Sequence, residues 1–168
     1  MTNRFSATAL LTLGVFILAS CGTKDVEHTP PPPTWKPGIS QNLARNPAAP
    51  SCVLDNIGPV SNPAAQKFVQ VSGATPFGIT GWAIDEANKS TAEGVDVVID
   101  QAPYSAHYGS ERTDVAKHFN QPNYQNSGFE LTVAPGQLAK GPHSVSIRVI
   151  ASDKKSYYQG PVVQFAVN

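Results

Sequence analysis

Residues 80–100 read T-G-W-A-I-D-E-A-N-K-S-T-A-E-G-V-D-V-V-I-D, two short apolar runs with a polar loop from Asp85 to Gly94 between them. Thr80, Trp82 and Ile84 fall on one face of the first run. In the second, Val95, Val97 and Ile99 alternate with Asp96, Val98 and Asp100. A period of two is the signature of a strand with one face in a core. Gly81 beside Trp82 marks a place where another backbone comes close, because any side chain would hold it off. Trp82, the largest apolar side chain in the stretch, is expected at the centre of the core.

Outward from these runs the pattern repeats. Ser51–Ile57 reads as a first strand or a lead-in to one, and Lys67–Ser72 as a strand with Val69 and Val71 on one face. Tyr104, Ala106 and Tyr108 form another period-two set, expected to pair with the Val95–Ile99 run. Further strands carry Phe129, Leu131 and Val133, then Val145, Ile147 and Val149, then Val163, Phe165 and Val167, separated by turns at 134–141 and 152–156. Residues 112–119 do not alternate. They predict one helical turn with Thr113 as N-cap and Asp114 near the positive end of the dipole. Seven or eight strands with no internal repeat and no long helix bury their faces most economically as two packed antiparallel sheets, a closed barrel being the alternative. The fold class is all-β, with the domain over residues 51–168.

The N-terminal third is different. Residues 1–20 carry one charge, Arg4, then an apolar stretch from Ala7 to Ala19, the plan of a signal peptide and too short for a lasting transmembrane helix. The stretch ends Leu18-Ala19-Ser20-Cys21, which resembles the bacterial lipobox. That resemblance implies cleavage before Cys21, acylation of its thiol and of the new amino terminus, and a lipid bilayer as the first partner. Each buried methylene contributes about 0.8 kcal/mol, so two or three acyl chains anchor stably. Gly22 stands where an Asp would resemble the inner-membrane retention signal, so the outer membrane is implied in a Gram-negative host. From residue 21 to Pro50 no hydrophobic period appears, and Pro30–Pro33, Pro37, Pro47 and Pro50 remove donors and fix φ. Residues 21–50 are thus expected to be a disordered tether, with a polyproline II stretch of about 3.1 Å per residue. Trp35 has no assigned role within it.

Within the domain, Gly81–Asp85, the V-x-V-x-I-D run Val95–Asp100, Tyr108, Gly109, Arg112, Asp114, Val115, Ala116, Phe119, Ser127–Phe129, Leu138, Gly141 and His143 together resemble immunoglobulin-like β-sandwich modules. Such modules occur in bacterial envelope proteins and as appendages of enzymes. The resemblance covers roughly residues 67–168 and implies a spacer or binding accessory. Thr113 departs from the family, which often has Pro there, and the 120–126 loop is unusually rich in Asn and Gln.

Lys plus Arg and Asp plus Glu number 12 each. That balance gives no basic footprint for nucleic acid. Asp85, Asp100, Arg112 and Asp114 read as loop-pinning charges. As a functional alternative, Arg112 is an anion contact or Asp85, Asp96 and Asp100 are oxygen ligands, although the loop lacks the ordered spacing of a calcium site. His107, His118 and His143 lack zinc-ligand spacing, and Cys52 is a single thiol once Cys21 is lipidated. No G-x-S-x-G elbow is present, and Glu111, Asp114 and Glu130 are carboxylates by count alone. Tyr104 and Tyr108 are expected in or over the sheets, whereas Tyr124, Tyr157 and Tyr158 lie in loop-like contexts suited to stacking on a sugar or a protein. The sequence therefore points to an envelope lipoprotein, periplasmic or surface-facing, with a non-catalytic domain, no cofactor and no metal. Arg112, Tyr124, Tyr157 and Tyr158 are its candidate contacts to a ligand or a protein partner. A carbohydrate or peptidoglycan binding module is the alternative, and a small hydrolase a more distant one.

Overall fold

The structure is a computed structural model that describes residues 34–168. Residues 1–20, read from the sequence as a signal peptide, Cys21 and Pro30–Pro33 lie outside the described residues. Among the described residues there are thirteen strands: β1 (Ala44–Asn46), β2 (Ser51–Ile57), β3 (Val60–Ser61), β4 (Gln70–Val71), β5 (Phe77–Asp85), β6 (Ser90–Thr91), β7 (Gly94–Ile99), β8 (Ala102–Ser105), β9 (His107–Ser110), β10 (Gly128–Val133), β11 (Gly141–Ile150), β12 (Ser156–Gln159) and β13 (Val163–Val167). One α-helix, α1 (Thr113–His118), lies between β9 and β10. The count exceeds seven or eight because β1, β3 and β6 are short strands of two or three residues, the Tyr104–Tyr108 run divides into β8 and β9, and β12 forms where a loop was expected.

The strands form two sheets packed as a sandwich. Sheet one runs β1-β12-β11-β13-β4, with β7 also on β11 and β8 on β7; sheet two runs β3-β2-β5-β10-β9, with β6 on β5. Pairing is antiparallel except at two edges, where β1 lies parallel to β12 and β4 parallel to β13. The ten-residue β11 organises sheet one. Its residues 145–150 pair with β7, while 141–145 pair with β13 and 148–150 with β12, so β12 and β13 share one edge of it.

The core follows the alternation read from the sequence. Val95, Val97 and Ile99 pair with Val145, Ile147 and Val149 across β7 and β11, all at most 3% exposed; Phe165 and Val167 of β13 extend this side of the core, and Phe129, Leu131 and Val133 of β10 supply the side from sheet two. The Tyr104–Tyr108 run does pair with β7, Tyr104 opposite Val97, but the chain then changes sheets. Ala106 donates its N–H to Val95 O, and His107–Ser110 continues as the edge of sheet two against β10.

Two expectations are corrected here. Trp82 is not at the centre of the core. The inward face of β5 is Phe77, Ile79, Gly81 and Ala83, and side chains alternate strictly, so Trp82 and Ile84 point to the outer face. The face is set by Gly81: a Cβ there would lie 2.1 Å from the Val53 carbonyl oxygen and 2.7 Å from the Phe129 ring. Thr113 is the first helical residue, not the cap. Arg112 takes the N-cap position with no side-chain cap bond, and Asp114 sits in the first turn as expected.

The outer face of sheet two is covered by α1 and the 3-10 turn Pro122–Tyr124. Ile84, Val115 and Tyr124 form a second buried cluster there, with Trp82 and Phe119 packed against it. Trp82 meets Phe119 edge-on at 5.7 Å, and Phe119 meets Tyr124 edge-on at 5.5 Å.

The outer face of sheet one is covered by residues 36–46, which the sequence places in the tether. Gly38 N–H donates to Pro103 O and Ser105 N–H to Lys36 O, extending the edge of β8. A 3-10 turn, Ile39–Asn42, follows, with Ser40 buried, and β1 then joins β12. Trp35 anchors the start: its Nε1 donates to Thr132 O at 2.8 Å and its ring lies 4.6 Å from Tyr104. Residues 35–46 are thus part of the fold, and the boundary at 51 falls too late.

Candidate functional site

The four predicted contact residues are not brought together. Tyr124 is only 2% exposed, so it is a packing residue of the outer cluster and not a solvent-facing contact. Its loop context misled because the 3-10 turn folds its ring back over Ile84. Tyr157 and Tyr158 are neighbours on β12 and therefore face opposite ways. Tyr158 packs against the main core and lines a cavity of about 370 Å³ with Asn46, Pro50, Ile84 and Glu86. Tyr157 lies on the outer face of sheet one under the Arg148 guanidinium, 4.7 Å from its ring centroid.

Arg112 is engaged internally. It grips Asp114 through Nε (2.9 Å) and Nη2 (2.7 Å) and reaches Asp55 on β2 through Nη1 (2.6 Å), fastening the start of α1 to sheet two. The Arg112 fork holds the Asp114 carboxyl down at about 2.

The aspartates act as loop staples. Buried Asp85 accepts from Asn88 N and Nδ2 and from Ser152 N and Oγ, joining the 86–88 turn to the loop after β11. Burial raises its pKa, but these four donors prevail and the net direction is down. Asp96, 0% exposed, accepts from Ile39 N at 2.9 Å and Ser40 N at 2.7 Å. Asp100 sits at φ +47° in the β7–β8 turn, accepting from Ser144 N and facing His143 Nδ1 at 2.6 Å, while His143 Nε2 faces Ala139 O at 2.8 Å. Among the described residues no group of three or more His, Cys, Asp or Glu is placed to hold a metal. His107 is exposed, and His118 stacks edge-on against Phe119.

The hydrolase candidates each have a local partner. Glu111 accepts from Gln125 Nε2, Asp114 from Arg112, and Glu130 from the Thr132 hydroxyl. Cys52 is free and half-buried on β2, and burial pushes its thiol up to about 11, which leaves it a poor nucleophile. Tyr108 is also internal: its hydroxyl donates to Ala83 O and accepts from Ala92 N, and burial raises it to about 12.

The chain matches no protein-family model and no curated protein. Its site must therefore be read from its own geometry. An open cleft of about 530 Å³ lies on the outer face of sheet one beside the covering segment. Arg45 from β1, Ser146 and Arg148 from β11, Gln159 from β12 and the Pro161–Val162 corner line it. Sequence reasoning overlooked these residues. The outward parity of Ser146 and Arg148 was readable from V-S-I-R-V-I, since Val145, Ile147 and Val149 face inward. Arg45 carried no signal, because only its backbone pairing with Tyr157 places it.

Proposed function

We propose that this chain is a cell-envelope lipoprotein, anchored through an acylated Cys21 and directed to the outer membrane, whose immunoglobulin-like domain is a non-catalytic module that contacts a protein partner. The observation that carries the anchoring is the lipobox-like Leu18–Cys21 at the end of a short apolar stretch. Support for a non-catalytic domain comes from its charges. Asp85, Asp96, Asp100, Arg112 and Asp114 are all engaged in holding loops to sheets. Catalytic groups are instead aimed at a space where substrate can sit.

Metabolic labelling with a fatty acid tests the anchor. The full chain takes up label and partitions with membranes, and Cys21→Ser does neither; a labelled, membrane-bound Cys21→Ser protein contradicts the proposal. The mature chain in detergent, offered to solubilised envelope proteins and to peptidoglycan sacculi, tests the partner. Retention of a defined protein is the expected result. Retention on sacculi alone, weakened by Tyr157→Ala, replaces it with a glycan-binding function.

A further inference from the structure

The cleft on sheet one is built from donors around a pre-set arginine. Arg148 is held at three points: Nε–H donates to Gln159 Oε1 at 2.8 Å, Nη1 donates to Ser40 Oγ at 3.2 Å, and its plane lies over Tyr157. Among the described residues its Nη2 has no acceptor. Asp96 stands opposite in the strand register, but its carboxylate takes the Ile39 and Ser40 N–H groups. No described carboxylate lies within ion-pair distance of Arg148 or Arg45.

Ser146, 5% exposed, adds a further donor. Its Oγ accepts from Gln159 Nε2 at 2.8 Å, so its own hydrogen is left to point elsewhere. Apolar lining comes from Val98, the cross-strand neighbour of Ser146 on β7, and from Pro161 and Val162, the last 61% exposed. Two guanidinium groups and a buried hydroxyl thus converge without an anion, next to a small aliphatic wall.

We propose that this cleft binds the free carboxylate end of an extended peptide with a small aliphatic terminal residue. A planar carboxylate matches the in-plane fork of a fixed guanidinium, and holding that fork in advance lowers the entropy cost of binding. A tetrahedral phosphate fits less well, because it turns additional charged oxygens toward Val98 and Val162. The volume suits two or three residues and not a folded domain. The assignment deepens the proposed binding function by naming the partner's chemistry. It is measured apart from anchoring and from partner capture, so either can fail alone.

The test is calorimetric titration of the full mature chain, in detergent, with N-acetyl-Ala-Ala as free acid and as C-terminal amide, each as L,L and D,D isomers, and with inorganic phosphate. The acid is expected to bind at least about tenfold more tightly than its amide. Preference for the L,L isomer indicates a protein terminus and for the D,D isomer a cell-wall stem peptide, and either supports the site. Arg45→Gln, at an exposed position without side-chain partners among the described residues, should weaken the acid several-fold at unchanged melting temperature. Arg148→Lys should do so more strongly. Equal binding of acid and amide, binding of phosphate as tight as the acid, no heat at millimolar peptide, or an unaffected Arg45→Gln protein would each overturn the assignment.

Discussion

The two outer faces of the sandwich are both covered, by opposite chemistry. Over sheet two the cover is aromatic and aliphatic: Trp82, Phe119 and Tyr124 meet edge to face above Ile84 and Val115. Over sheet one it is polar. The 36–46 segment is held by backbone hydrogen bonds to β8 and β12 and by one buried carboxylate, Asp96, receiving two successive N–H groups. An apolar cover is stabilised by area and tolerates small changes of shape. A polar one depends on a few directional bonds, whose loss leaves buried groups unsatisfied. It also leaves polar side chains beside it, and the Arg45–Arg148 cleft lies at its margin.

This contrast can be broken first on the apolar side. Tyr124→Ala removes the ring that Phe119 and Ile84 pack on and should lower the unfolding free energy by about 3–4 kcal/mol in denaturant titration. On the polar side, Asp96→Asn keeps shape but gives up a charged acceptor for two N–H groups, with an expected loss of about 2 kcal/mol. Limited proteolysis should then open the chain between residues 36 and 46 before any site within residues 47–168, a local loss that Tyr124→Ala does not produce.

A smaller effect concerns pH. Both His143 ring nitrogens face acceptors, the Asp100 carboxylate and the Ala139 carbonyl, and only the imidazolium donates to both. Burial lowers the His143 pKa, but these two partners prevail and the net direction is up; for Asp100, burial raises and the His143 and Ser144 bonds lower, with a net fall. The His143 contribution is therefore full below about 6.5 and is lost as pH rises through its higher folded value. The Asp100 contribution is present above about 3.9 and is lost as pH falls through its lower one. The contact helps most between those limits, and His143→Gln should flatten the melting-temperature profile above pH 6. Smallest of all is Tyr124→Phe. No partner of the Tyr124 hydroxyl exists among the described residues, so a change within about 0.5 kcal/mol is expected. A larger loss would mean that the aromatic cover has a polar component.

The same contrast explains what the sequence could tell. Apolar contacts leave a period, so Val95–Ile99, Val145–Val149 and Phe129–Val133 were readable as inward faces, and Ser51–Ile57 as a strand with its observed limits. Parity on β5 was misjudged because Trp82 carries far more apolar area than Gly81. Yet Gly81 must face the core, where Val53 O and Phe129 leave no room for a side chain. The 36–46 cover was illegible. Its bonds use backbone groups, and the residue that secures it, Asp96, lies more than fifty positions away inside what reads as an alternating strand. Prolines suggested a linker, and Pro37 indeed makes none of the donated bonds. Its neighbours Gly38, Ile39 and Ser40 make them instead.

Residue-resolved hydrogen exchange on the full chain and on Asp96→Asn tests most directly whether a buried carboxylate holds the presumed tether on the sandwich. The Ile39 and Ser40 amides should be protected to the level of sheet one in the parent chain and should lose that protection in the variant, while amides of α1 keep theirs. Exchange at Ile39 and Ser40 as fast as in an unstructured peptide in the parent chain would contradict the account.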